Sequence, residues 1–337
     1  MSTSPPGGRL PARIVAIGGG TGLSTLLRGL KEHVARRRAE ASRYPIADLA
    51  AVVTVTDDGG SSGRLRREYR MLPPGDIRNC MVALSKDEAL LSRLFQYRFS
   101  SGATLGGHSF GNLFLAALTH VTGDFTEAVR LSGQVLAIRG RIFPSTLQNV
   151  ALEAVLENGR RVKGETRISR SRARIRRVRL TGRRARPLAE VLDAIRHADL
   201  ITFGPGSLFT SVIPNLLVEG VVEAIHRSRA QRVYIANLMT QPGETHGLSV
   251  EGHVRAVYEH TGPGLFHWVV MNNGAITPRL LRRYRAHGAE PVRFDLAALQ
   301  QLGLRCIFDN LVDEDGVVRH HAARLTRLLL EEFVVPR

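Results

Sequence analysis

The chain has 337 residues, of which 43% are hydrophobic and 23% are charged, as in an ordinary folded globular protein of one or two domains. This composition excludes a largely disordered chain, and no apolar stretch is long enough to span a bilayer. Residues 1–11 predict a flexible N-terminal tail without the apolar core of a signal peptide. The two cysteines, Cys80 and Cys306, offer no disulfide framework, so we expect a cytoplasmic protein.

The net charge is +17, and arginine supplies almost all of the positive charge. The arginines concentrate at 36–38 and between 160 and 186. An arginine side chain can donate two parallel hydrogen bonds to a phosphate, but neither stretch is interleaved with the aromatic residues that stack on single-stranded bases. We therefore favour a solvated basic surface over a nucleic-acid site, and we leave open an acidic partner or a homo-oligomer contact.

The first predicted elements are a buried strand at 14–17, a glycine-rich turn at 18–22 and a helix from Leu23 to about His33. The N-terminus of such a helix has backbone N–H groups without an intrahelical partner and can bind an anion. The dinucleotide fingerprint G-x-G-x-x-G, begun at Gly18, would need a glycine where Leu23 stands. The turn thus predicts a phosphate without specifying NAD, and the alternative is a tight turn without any ligand.

A second buried strand is predicted at 50–56, and the polar stretch 33–48 before it predicts a surface extension of the first helix. Asp57 and Asp58 follow the strand, where a carboxylate can accept hydrogen bonds from a ribose. Two adjacent carboxylates could instead hold Mg²⁺ beside phosphate oxygens. The sequence leaves both alternatives open.

Three further helices are predicted at 78–84, 88–99 and 109–121. Asp76 before the first of them is a candidate ligand residue or simply a helix N-cap. His108 stands before the third, and no serine–acid partner pattern accompanies it, so a structural role is favoured over a catalytic one.

Residues 150–186 predict an arginine-rich β-hairpin arm inserted in the α/β pattern. Its strands are expected at 150–156 and 161–168 around an Asn-Gly turn, with a third at 174–180. The pattern then resumes with helices at 188–197, 208–217, 249–260 and 322–333, and strands at 200–203, 232–236 and 268–271. This alternation predicts an α/β fold, a Rossmann-like parallel sheet covered by helices.

The carboxyl ends of parallel strands share one edge of a sheet, so the polar loops of this chain are expected to converge there. The glycine turns at 18–22 and 204–207 would form two anion cradles, which suits a diphosphate. The candidate ligand-binding residues from these loops are Gly19, Gly20, Thr21, Gly22, Asp57, Asp58, Asp76, Asn79, His108, Asn112, Gly204, Gly206, Ser207, Asn237 and Thr240.

Six ordered motifs together give a resemblance. They are GGGTG at 18–22, TDDGGSSGR at 56–64, PPGDIRN at 73–79, GHSFGN at 107–112, GPGSLFTSV at 204–212 and NLMTQPGET at 237–245. Over residues 12–332 the chain resembles the bacterial gluconeogenesis factors of the YvcK type, relatives of the 2-phospho-L-lactate transferases. The resemblance implies one Rossmann-like domain, a cytoplasmic location, and binding of UDP-sugars, notably UDP-N-acetylglucosamine. It also implies a ligand-binding tyrosine and arginine, which match Tyr284 and Arg319.

Three functions follow as hypotheses. The first is a nucleotide-sugar-binding regulator needed for growth and cell shape on gluconeogenic carbon sources, without an accepted reaction. The second is a transferase of a phospholactyl-type group from a nucleotide diphosphate donor, with Mg²⁺ held by Asp57 and Asp58. The third is a nucleic-acid binder that uses the arginine-rich arm.

Overall fold

The computed structural model describes residues 11–34, 45–86, 90–100, 104–171 and 173–334. Its strands are β1 Ala12–Gly18, β2 Ile46–Val53, β3 Arg141–Pro144, β4 Val150–Leu156, β5 Arg161–Lys163, β6 Ile175–Gly182, β7 Leu200–Phe203, β8 Gln231–Ile235, β9 Trp268–Asn272, β10 Arg305–Asp309, β11 Val312–Asp313 and β12 Arg319–His320.

The helices cover both faces of the main sheet. They are α1 Gly20–Leu30, α2 Gly60–Tyr69, α3 Gly75–Leu84, α4 Leu90–Gln96, α5 Phe110–Thr122, α6 Phe125–Val135, α7 Glu165–Ser169, α8 Ala189–Arg196, α9 Ile213–Leu216, α10 Val221–Arg227, α11 Val250–Thr261, α12 Pro278–Ala286, α13 Leu296–Gln301 and α14 Ala322–Phe333. A short 3₁₀ turn, Lys31–His33, extends α1, and a π-helical turn, Leu208–Val212, leads into α9.

Seven parallel strands form the main sheet, in the order β10-β9-β8-β7-β1-β2-β3. The chain runs outward from β1 to β3 on one side and from β7 to β10 on the other. The strand order therefore reverses between β1 and β7, and a crevice opens at such a switch point. This arrangement confirms the predicted Rossmann-like α/β fold with an inserted hairpin sheet.

The side chains of β1 divide the core into two layers. Ile14 and Ala16 pack with α1, α3 and α14, whereas Val15 and Ile17 pack with the helices of the opposite face. All four are at most 2% exposed, and a strand buried on both faces needs an uninterrupted apolar run. This explains why β1 was recognisable in the sequence.

The inserted arm is a three-stranded antiparallel sheet in the order β5-β4-β6. The prediction of a hairpin with a third strand is confirmed, but the second strand does not continue to 168. It ends at Lys163 because Gly164, with a φ of +98°, redirects the chain into α7. The outer face of the sheet carries cations on both sides of Glu153, which pairs with Arg179 at 2.6 Å.

Several predicted boundaries were wrong. Helix α1 begins at Gly20 and not at Leu23, and β2 occupies Ile46–Val53 and not 50–56. Residues 46–48, which were predicted to extend the first helix, therefore belong to strand β2. Residues 35–44 of that stretch, the cluster at 36–38 and residues 1–10 of the tail lie outside the described residues.

Within the described part of the chain, no single helix is long and apolar enough to cross a membrane. Two successive segments, Leu208–Leu216 and Val221–Arg227, pass that test only together, with a bend of 74° between them.

Gly29 in α1 and Gly252 in α11 give a matched test of packing. A Cβ at Gly29 would lie 2.6 Å from the carbonyl oxygen of Ala322 in α14, whereas a Cβ at Gly252 would meet nothing closer than 3.4 Å. We expect Gly29→Ala to lower the free energy of unfolding by about 1–3 kcal/mol through overpacking. Gly252→Ala should leave it unchanged or raise it by up to about 1 kcal/mol, because alanine favours helix.

Urea denaturation followed by circular dichroism measures both variants against the parent protein. If Gly29→Ala were as stable as Gly252→Ala, the close crossing of α1 and α14 would be wrong.

Candidate functional site

Two glycine turns meet at the switch point of the sheet. The first follows β1 and opens α1, and the second follows β7. A Cβ at Gly22 would lie 2.7 Å from the carbonyl carbon of Pro205, and one at Gly206 would lie 3.4 Å from the carbonyl oxygen of Gly19. Gly204 has a φ of +78°, which favours glycine, and its N–H donates to the carbonyl of Ile17 at 2.9 Å. The backbones of the two turns thus form one continuous wall.

A cleft of about 410 Å³ lies on this wall, within the usual size of small-molecule sites. It brings together most of the predicted ligand residues. Those that line it are Gly19, Gly20, Thr21, Gly22, Gly206, Ser207, Asn237, Thr240, Tyr284 and Arg319. Gly204 lies directly behind the second turn, where it sets the backbone and does not face the cleft.

Asn237, after β8, fixes the second turn. Its Oδ1 accepts a hydrogen bond from the N–H of Gly206 at 3.3 Å, and its Nδ2 donates to the carbonyl of the same residue at 3.0 Å. Gln241 donates from Nε2 to Oγ of Ser207 at 2.9 Å. Sequence reasoning missed Gln241, although it stands within the motif at 237–245. Both polar atoms of the Asn237 side chain are thus used to hold the second turn in place.

Tyr284 and Arg319 close the far side of the cleft. The hydroxyl of Tyr284 accepts a hydrogen bond from the N–H of Val318 at 3.0 Å, so α12 fixes the residue that precedes Arg319. The side chain of Arg319 is exposed at the rim. The tyrosine thus holds the strand that presents the arginine, in addition to offering its own ring to the cleft.

Asp76 connects the cleft to a group of acids behind the first turn. Its carboxyl accepts a hydrogen bond from the N–H of Gly20, and burial followed by the charge of Asp57 raises its pKa to about 7. Asp76 is not the N-cap of α3, because Pro74 holds that position without a side-chain cap and Asp76 belongs to the helix. The N-cap alternative was therefore wrong.

Glu165 of α7 joins this group, although no local pattern marked it in the sequence. Burial, and then the charges of Asp76 and Asp57, raise its pKa well above the ordinary value. Its carboxylate accepts a hydrogen bond from Thr56 Oγ1 at 3.3 Å. The arm therefore contributes a carboxyl to the group of acids behind the first turn.

Asp57 and Asp58 point to different surroundings. Asp57 Oδ1 accepts from the N–H of Gly59 at 2.8 Å, and its charge raises the pKa values of Asp76 and Glu165. Asp58 Oδ1 accepts from the N–H and the hydroxyl of Thr166 at 2.9 and 2.8 Å, and so anchors α7. Among the described residues, no group of three or more His, Cys, Asp or Glu side chains is placed to hold a metal ion. Magnesium at Asp57 and Asp58 stays a prediction, and we derive no step through it.

His108, Asn112 and Asn79 do not line the cleft. The Nδ1 of His108 is 3.0 Å from Oγ of Ser61, and Asn112 Nδ2 donates to that hydroxyl at 3.1 Å. His108 thus has a serine partner that the sequence did not reveal, since Ser61 is 47 residues away. Both members of the pair are at most 4% exposed, which favours the predicted structural role.

The fold and the cleft define a class: a Rossmann-like α/β protein with a glycine-lined cleft at the switch point of its sheet. The model of one family, described as 2-phospho-L-lactate transferase CofD, matches residues 14–312. A protein of Bacillus subtilis named gluconeogenesis factor is 46% identical over 320 residues, which cover 95% of this chain and 97% of that one. A protein of the same name from Halalkalibacterium halodurans is 46% identical over 319 residues, 94% and 95% of the two chains.

The crystal structure of a member of the UPF0052 family from Bacillus halodurans has a TM-score of 0.89 and 45% identity. The superposition covers 95% of this chain and 99% of the chain in that crystal structure. The chain therefore belongs to the CofD family, among the relatives named gluconeogenesis factor.

The raised pKa of Asp76 predicts a pH-dependent stability. A carboxyl whose pKa is higher in the folded than in the unfolded chain stabilises the fold at low pH, and this contribution is lost as the pH rises through about 7. Asp76→Asn removes the titration. Relative to the parent protein, we expect its free energy of unfolding to improve by about 2–3 kcal/mol between pH 5 and pH 8.

Urea titrations at the two pH values measure this difference. Asp315→Asn, at an exposed position, is the control and should show no such change. An equal pH response of the parent protein and Asp76→Asn would contradict the assignment.

Proposed function

We propose that this protein binds a nucleoside diphosphate sugar, UDP-N-acetylglucosamine, in the cleft, and acts as a cytoplasmic regulator and not as a catalyst. The observation that carries the proposal is the meeting of two glycine turns beneath Tyr284 and Arg319. Two adjacent backbone cradles suit the two phosphoryl groups of a diphosphate. In the cell, this binding would serve growth and cell-shape maintenance on gluconeogenic carbon sources.

The diphosphate is best accommodated at the start of α1. The N-cap, Gly19, has no side chain and gives no side-chain cap, and Asp76 takes only the N–H of Gly20. The N–H groups of Thr21 and Gly22 then face an anion together with the positive end of the helix dipole. Arg319 would supply a guanidinium to the outer phosphate oxygens, and Tyr284 a ring face to the base or the sugar.

The description of the family favours one alternative, a transferase of a phospholactyl-type group from a nucleotide diphosphate donor. The same cleft would hold the donor, because both functions need a nucleotide diphosphate at the glycine turns. The acids at Asp57 and Asp76 lie beyond the first turn, where an acceptor would have to approach. Magnesium would fit this alternative through Asp57, since Asp58 is engaged by Thr166.

We expect UDP-N-acetylglucosamine to bind the parent protein and Arg319→Gln to weaken that binding about tenfold, because a charge-assisted hydrogen bond to phosphate is lost. Arg282→Gln removes the same charge from an exposed position of α12 outside the cleft, and should change the affinity less than twofold. Isothermal titration calorimetry measures all three proteins. Failure of the folded parent protein to bind any UDP-sugar would overturn the proposal.

Catalysis is tested separately. We expect no new compound when the protein is incubated with a nucleotide diphosphate-linked phospholactate, a deazaflavin and Mg²⁺, and the mixture is examined by mass spectrometry. Formation of the phospholactyl product would reject the purely regulatory function and support the transferase. In that case Asp57→Asn should abolish the product.

A further inference from the structure

Three motifs of the sequence converge on a place that the glycine cleft does not include. TDDGGSSGR supplies Arg64 from α2, PPGDIRN supplies Arg78 from α3, and GHSFGN supplies the turn before α5. Arg98, which follows α4, completes the group. The site is thus built by four separate segments at the same edge of the sheet as the cleft.

Arg64 and Arg98 are both held by the turn that precedes α5. Arg64 donates from one terminal nitrogen to the carbonyl of Gly106 at 2.7 Å, and Arg98 donates from Nη1 to the carbonyl of Gly107 at 2.6 Å. These two carbonyls belong to consecutive residues. Gly107 has a φ of +78°, which favours glycine. A Cβ at this position would lie 3.1 Å from the Nη2 of Arg64, so the guanidinium packs closely on the backbone of the turn.

Arg78 lies against the start of α5. A Cβ at Gly111, the second residue of that helix, would lie 2.8 Å from the Cδ of Arg78. One terminal nitrogen of Arg78 donates to Asn79 Oδ1 at 2.7 Å, while its Nε is buried and has no hydrogen-bond partner. A buried donor without a partner is costly, and a ligand oxygen would satisfy it.

The positive charge of this group is not balanced by ion pairs. None of the three arginines forms a salt bridge with a carboxylate among the described residues. Burial, and then the charge of Arg98, lower the pKa of Arg78, as expected where like charges face each other. The charges of Asp76 and Asp57 act in the opposite direction on the pKa of Arg78, but Asp76, with a pKa of about 7, is only partly ionised near neutral pH.

His108 offers no negative charge that could balance the arginines. Burial, and then the charge of Arg64, lower its pKa and disfavour the charged ring. Its Nδ1 is already engaged with Ser61. Glu68 acts on His108, and Asp76 and Asp57 act on Arg78, but none of these carboxylates pairs with the three guanidinium groups among the described residues. The remaining N–H donors of the three arginines suit an oxyanion.

We propose that Arg64, Arg78 and Arg98 form a second ligand site, for the phosphate or carboxylate group of a small molecule distinct from the one in the glycine cleft. An oxyanion there accepts hydrogen bonds from three guanidinium groups that the protein itself leaves without a carboxylate. The site does not depend on the identity of the ligand in the cleft. Asp76 accepts a hydrogen bond from Gly20 and raises the pKa of Arg78, so one carboxyl acts on both sites.

The test uses inorganic phosphate and succinate as probes, titrated into the full chain by equilibrium dialysis. Arg64→Gln combined with Arg98→Gln removes two charges from the site. Arg67→Gln combined with Arg93→Gln removes two charges from exposed positions of α2 and α4 and is the matched control. Arg319→Gln reports any phosphate that binds in the glycine cleft instead.

We expect the Arg64/Arg98 variant to lose at least tenfold in affinity for one bound anion, while the Arg67/Arg93 and Arg319 variants retain that anion within about twofold. Arg64→Lys with Arg98→Lys should restore part of the affinity, because the charges return, and this guards against a merely misfolded turn. Binding of phosphate alone, or of succinate alone, identifies which anion the site takes.

Identical isotherms for the two double Gln variants would overturn the proposal, as would a parent protein that binds neither probe. A parallel titration with UDP-N-acetylglucosamine keeps the two sites apart. If the parent protein does not bind UDP-N-acetylglucosamine but binds an anion that the Arg64/Arg98 variant loses, the proposed function is contradicted and the second site is supported.

Discussion

The structure depends on one close approach, that of the backbone at Gly22 to the backbone at Pro205. The two turns come from opposite halves of the sheet, and no side chain separates them. This contact determines where the crevice lies, because it brings the start of α1 to the carboxyl end of β7. The acids, the tyrosine and the arginines are then arranged around a wall made of peptide groups. A wall of N–H donors binds charge without the entropy cost of ordering long side chains.

The sequence predicted the central strands and the first cradle well, for a clear physical reason. Residues 14–17 of β1 and all four residues of β7 are buried, and only Thr202 among them is polar. Glycines follow both runs. β3 and β10, at the two edges of the sheet, each begin with an arginine, and neither strand was predicted. Local patterns identify buried strands better than edge strands.

The acidic side of the site was only partly predictable. Asp57 follows a strand and Asp76 lies in the first turn of α3, and these positions made them candidates. Glu165 reaches the site only because Gly164 ends β5 and turns the chain into α7. Ser61 becomes the partner of His108 through tertiary packing alone. Such pairings depend on the arrangement of whole elements, and residue spacing carries no record of them.

The position of β1 in the middle of the sheet also determines the order in which the protein can be completed. The N–H of Arg13 bonds to Asp199, 186 residues further along the chain, and Ile14 pairs with Leu200. At a synthesis rate of about 5–20 residues per second, roughly 10–40 seconds separate the emergence of these two partners from the ribosome. During that interval one edge of β1 has no neighbour. The first glycine turn is therefore made early, whereas the cleft is one of the last parts of the molecule to exist.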